Sequence, residues 1–406
     1  MAEAEASSSP ATSAAGAGLS ARTLLALIGV QIGLHSTMAG VRMAAPLQAL
    51  REGQSAAAVG VLMALFAAAP IALALYAGRM ADRYGFHRPM HVAMGLSAFG
   101  ALLAIGATLL SGKPHFLLLC GAAMFCGGGA NFGLIAIQRT AGRGAADSTE
   151  RMRVFSWLGI APAMSNFVDP VLAGIAIDLA GFRSAYAALG VLPLLAWWVS
   201  TRVPREVPAA PDAPLTGAAW DLLSSPDLRR LLFVNWLLSA SWDVHAFAVP
   251  ILGHERGFSA STIGLVLGVF PIAVTAVRLL IPMLAHRLDE VRVLRAAMVG
   301  TALVFALYPL VETPRLMALC ALLLGLTLGA VQPMIMSTLH QLTPEARHGE
   351  ALALRSMTIN FASTMMPLAF GAAGAAIGVA GLFWLMGAAV GAGNWAAGPL
   401  AARLRN

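Results

Sequence analysis

The groups in this sequence that could do chemistry are charged residues stranded in apolar runs. Asp243 and His245 lie in SWDVHAFAVP, His35 in QIGLHSTMAG, Arg42 in VRMAAP and Asp169 in NFVDPVLAG. Helical rise puts Asp243 roughly 18 Å and His245 roughly 21 Å beyond Leu231, and His35 roughly 16 Å beyond Leu24. An ionisable group at mid-membrane depth is costly and marks a pathway for protons or ligands. Asp243 is the first choice for loading and releasing protons, with a hydrogen bond to a neighbouring helix as the bland alternative. His35 and His245 also fit satisfied core histidines. Positions 243 and 245 stand about 200° apart on a helix, so one face cannot present both. Trp242, with Trp236 and Phe247 nearby, offers apolar and π surface to an organic ligand. Arg42 and Asp169 reach similar depths, roughly 27 and 23 Å along their helices. That allows a buried ion pair, an Arg42 that snorkels outward, or an Arg42 that binds an anion.

Metal and nucleophile chemistry have no sequence basis. No H-E-x-x-H, phosphate loop or nucleophile elbow occurs, and Cys120, Cys126 and Cys320 form no C-x-x-C pair. The chain reads as no enzyme, with no cofactor beyond a proton gradient as driving force.

Twelve apolar segments must position these groups: 24–48, 57–79, 90–110, 115–138, 154–177, 183–200, 229–252, 261–284, 293–311, 315–339, 351–376 and 379–401. Each approaches the roughly 20 residues a bilayer-spanning helix needs. Of the 406 residues 58% are apolar and 11% charged, with mean hydropathy +0.76. That is far from the roughly 25% charge of a soluble domain. Alternating short strands are absent, which excludes a β-barrel. The fold class is therefore all-α, a polytopic membrane protein.

The 26 basic residues fall in short clusters between spans. With the N-terminus cytoplasmic, nineteen face the cytoplasm, including Arg139 and Arg355; five face outward, and Arg42 and Arg278 lie within spans. The basic excess thus reports topology rather than a nucleic-acid partner. Both termini are expected in the cytoplasm, in an inner membrane. Residues 1–21 read as a disordered tail, 22–200 as one six-helix bundle, 201–228 as a Pro-rich cytoplasmic linker, and 229–402 as a second bundle.

The bundles repeat. At an offset of 204, REGQSAAAVGVLMALF (51–66) faces ERGFSASTIGLVLGVF (255–270), aligning Gly53 with Gly257, Gly60 with Gly264 and Phe66 with Phe270. The same register pairs Pro46 with Pro250, Arg83 with Arg287 and Gln31 with Asn235, which makes Gln31 and Asn235 candidates to line a central cavity. Further on, an offset of 197 pairs Pro170 with Pro367 and Gly174 with Gly371. Parallel six-helix repeats are a transporter architecture, with the site between them near the midplane.

The loop after the second span reads Gly78-Arg79-Met80-Ala81-Asp82-Arg83-Tyr84-Gly85-Phe86-His87-Arg88. It resembles the G-x-x-x-D-R-x-G-x-x-R loop of the major facilitator superfamily. Gly85 suits a tight turn, Asp82 can accept from basic groups or a helix N-terminus, and Arg83 and Arg88 can meet carboxylates or helix C-termini. The resemblance implies that Gly78, Asp82, Arg83, Gly85 and Arg88 latch the two halves together. It would cover about residues 22–403. The equivalent loop of the second half, Pro282 to Asp289, departs from the pattern, and Asp169 stands where the family's antiporters carry a glycine. The expectation is a monomeric secondary transporter moving a small organic solute across the bilayer by alternating access. Proton-coupled efflux leads, and proton-coupled uptake or lipid flipping are the alternatives.

Overall fold

A chain in lipid has no water to satisfy its backbone, so each apolar run closes its hydrogen bonds within a helix. The computed structural model describes residues 19–54, 56–205, 219–258 and 260–403, and among them all regular structure is helical. The helices are α1 (Ala21–Arg51), α2 (Ala56–Tyr84), α3 (His87–Ala107), α4 (Gly112–Gly144), α5 (Ser148–Ser200), α6 (Pro226–Glu255), α7 (Ala260–Leu284), α8 (Glu290–Leu307), α9 (Pro314–Gly329), α10 (Val331–Leu342) and α11 (His348–Arg403). Nine segments among the described residues are long and apolar enough to cross a membrane.

All twelve segments expected from the sequence fall on helices. α5 and α11 each hold two of them, joined where Gly181 (φ 78°) and Gly378 (φ 72°) leave helical geometry. α9 and α10 meet at Ala330 and together make one 29-residue span. The internal repeat is visible in the backbone. Gly181 and Gly378 lie 197 residues apart, and the positive-φ turns at Gly53 and Gly257 lie 204 apart. These are the two offsets seen in the sequence, at sites where only glycine turns without strain.

Within the first half α1 packs along α5, and α2 and α3 along α4; within the second, α7 packs along α9, and α6 and α8 along α11. Between the halves, α2 meets α11 while α5 meets α7 and α10. Carboxylates cap the helices that start at the arginine-rich loops. Asp147 accepts from Glu150 N and Asp289 from Arg292 N, filling donors that a helix start leaves open.

Residues 1–18 of the expected tail and 206–218 of the expected linker lie outside the described residues. The chain resumes with a short 3-10 turn at Ala219–Ser224, and α6 begins at Pro226, inside the stretch read as linker.

Candidate functional site

The best-defined polar cluster joins the halves at the end that carries the arginine-rich loops. α2 runs past its apolar stretch to place Asp82 against the first turn of α11. Asp82 is 3% exposed. Its Oδ1 accepts from Gly349 N at 2.8 Å and from Arg139 Nε at 3.1 Å, and its Oδ2 accepts from Glu350 N at 3.0 Å. A helix start offers unpaired N–H groups and a partial positive charge, so a carboxylate there is doubly suited. Glu350, fully buried, accepts in turn from Arg79 Nε at 2.9 Å and Arg347 Nε at 2.6 Å.

Gly78 makes this approach possible. A Cβ there would collide with the Gly349 carbonyl, so the α2 and α11 backbones touch. Gly85 adopts φ 68° and turns the chain into α3. Arg83 and Arg88 lie over the Tyr84 ring at 5.3 and 4.3 Å. The guanidinium on Asp82 comes instead from Arg139, a residue that the sequence places among the cytoplasmic basic clusters. α4 runs on to Gly144 and buries it.

A second set of polar groups lies further along the helices. Asp243 on α6 is partly exposed, and Ser363 Oγ on α11 donates to its Oδ2 at 3.4 Å. His245 turns the other way. It is 2% exposed, with Nδ1 3.2 Å from the Tyr308 hydroxyl and its ring against Phe270 of α7. Trp242 stands edge-on to the same Phe270 at 4.5 Å, with its far side exposed. Gln31 on α1 is buried, its Oε1 without a hydrogen bond, and His35 one turn on is half-buried. Arg42 is exposed, and Asp169 lies outside the residues whose side chains are described.

Two arginines gain weight from the structure. Arg278, which from the sequence either snorkels or pairs across the domain interface, is buried within α7 and does the latter; Nη1 donates to the Gly159 carbonyl of α5, across the halves, and Nη2 to Gln332 Oε1 at 3.1 Å. Arg355, counted from the sequence as a cytoplasmic marker, sits seven residues inside α11, 8% exposed. Its Nε donates to Asn235 Oδ1 at 3.3 Å. Next to it, Ser356 Oγ donates to Asn131 Oδ1 of α4, another bond between the halves. Among the described residues, no group of three or more His, Cys, Asp or Glu could hold a metal ion.

A family model for the Major Facilitator Superfamily matches residues 24–230 and again 231–403. The enterobactin exporter EntS of Citrobacter koseri is 25% identical over 323 residues, covering 76% of this chain and 74% of that protein. Two solved structures share the fold. A bacterial homologue of the iron transporter ferroportin, in an outward-facing state, has a TM-score of 0.79 at 17% identity, covering 94% of this chain and 100% of that one. The human organic anion transporter MFSD10 has a TM-score of 0.73 at 16% identity, covering 93% and 99%.

Proposed function

Since the chain belongs to the Major Facilitator Superfamily, a family of membrane transporters rather than enzymes, we propose that it exports a small organic solute from the cytoplasm in exchange for protons. The arginine-rich end is the cytoplasmic one, by the asymmetry of basic loops. Among the described residues, every polar contact described above between the halves lies toward that end, so the arrangement is sealed on the cytoplasmic side. The curated relative's name supports export over uptake, and an inner membrane suits that relative and this topology.

Asp243 carries the coupling. It is a carboxylate in the span region, held only by the Ser363 hydroxyl, with no cation on it among the described residues. A carboxylate without a fixed counter-ion can exchange a proton as the halves rock, whereas Asp82 is committed to the latch. The test is Asp243→Asn in proteoliposomes with an imposed pH gradient. Gradient-driven accumulation should fall more than tenfold while downhill exchange survives; unchanged gradient dependence would sink the assignment. Direction is read separately in everted vesicles, where an exporter accumulates solute inside.

A further inference from the structure

We propose that the exported solute is an organic anion, and that its acidic group is seated by Arg355 and Asn235 with Arg278 as a second cation. This deepens the export reading and rests on it for the side from which the anion enters.

A buried guanidinium ordinarily meets a carboxylate or fills its donors with carbonyls. Arg355 does neither. Among the described residues its one hydrogen bond is Nε to Asn235, and its two terminal amino groups have no protein acceptor. Asn235 completes the pattern. Arginine can only donate, so the Asn235 atom it meets is Oδ1, and Nδ2 is fixed as a donor. That Nδ2 is buried with no partner. Arg278 also lacks a carboxylate among the described residues, and its buried Nε is unsatisfied. The open valences around Arg355 and Arg278 are therefore donors, the complement of an anion. A planar guanidinium fork suits a carboxylate or phosphate best.

Counted along their own helices, the two cations lie at similar depths. Arg355 is about 10 Å beyond the start of α11 and Arg278 about 9 Å before the end of α7, both from the arginine-rich end. Asp243 is about 25 Å along α6 from Pro226, so it sits well further out. These three intramembrane groups together carry one net positive charge when Asp243 is ionised. A bound monoanion neutralises it.

The bond from Arg278 to the Gly159 carbonyl supplies a release step. That carbonyl belongs to the other half, so parting the halves at the cytoplasmic end frees the guanidinium as solute is admitted. Resealing returns the carbonyl to Arg278 and takes one cation's donors from the bound anion. Affinity then falls on the outward side, as export requires.

The test measures binding at equilibrium, with no gradient, on the full-length protein in nanodiscs. Benzoate, salicylate and hexanoate are each compared with their primary amides, and benzyltrimethylammonium serves as the cationic probe, by thermal shift and calorimetry. At least one acid should bind tenfold or more tightly than its amide, and Arg355→Gln should remove that preference. Asn235→Asp guards against a misfolded variant, because it gives Arg355 an internal carboxylate. It should raise the melting temperature while abolishing acid preference. The proposal is overturned if no acid outranks its amide, if the quaternary amine binds best, or if Asn235→Asp retains the preference. Acid preference together with solute driven out of everted vesicles, rather than accumulated in them, would instead sink the export reading alone.

Discussion

Two of the contacts between the halves at the arginine-rich end are related by the repeat, one where α2 meets α11 and one where α7 meets α5. The repeat makes these crossings equivalent, yet they are built differently. At the first, Gly78 lets the backbones touch and Asp82 takes two N–H groups and Arg139. At the second, the offset of 204 puts Pro282 where Gly78 would be and His286 where Asp82 would be. Proline has a ring where the close approach needs a bare Cα, and the exposed His286, among the described residues, meets only its neighbour Arg287, at 3.2 Å. The polar tie described at that crossing is Arg278 on a carbonyl. One crossing is a charge-assisted lock; the other is a neutral acceptor on a cation that can serve elsewhere. A transporter needs one firm seal, and duplication leaves the second copy free to diverge.

Asp82→Asn should have the largest effect on this contrast. It removes the charge from a buried site with three donors, where loss of one partner costs on the order of 3–5 kcal/mol. Transport should fall at least tenfold, and spin-label distances across the arginine-rich end should lengthen. A variant that keeps the short distances would mean the lock lies elsewhere.

Acid should act next, through His348 at the mouth of the lock. Its Nε2 donates to the carbonyls of His340 and Thr343; burial, chiefly, pushes the imidazole down from 6.5 to about 4, against those two hydrogen bonds, which favour the charged ring, with smaller contributions from Arg143 (lowering) and Glu345 (raising). The sealed state therefore holds it neutral, while an opened, wetted state protonates it sooner. The seal should loosen as pH falls from about 6.5 toward about 4 and be insensitive above that range. His348→Leu should flatten this dependence in the same distance measurement; an unaltered profile would assign it to another group.

The smallest effect belongs to His286→Ala, expected to change transport less than twofold. A loss comparable to that of Asp82→Asn would show that the two crossings lock alike.

Much of this was legible in the sequence, for local reasons. Hydropathy marks spans because each helix satisfies its own backbone, and Gly53, Gly257, Gly181 and Gly378 occupy turns that few other residues adopt. The 200° between positions 243 and 245 already separates their faces, and the structure sends Asp243 toward α11 and His245 toward Tyr308. Long-range partners were not legible. Asp82 finds its N–H donors more than 260 residues away, and no local pattern specifies that pairing. Arg139 and Arg355 were misjudged for one reason: counting charge by sidedness treats any arginine near a span end as solvated. Both are buried by neighbours from distant segments. Arg355 carried a usable signal, since it lies inside the apolar run from 351.

The dryness of the lock has a thermodynamic corollary. Asp82, Glu350 and Arg139 are almost free of solvent when the end is sealed, and parting the halves must hydrate all three. Opening therefore takes up water, and water activity becomes a reactant in the cycle. Osmolytes excluded from the protein surface, such as sucrose, should slow solute entry from the cytoplasmic side in proportion to the shell of water those charges acquire.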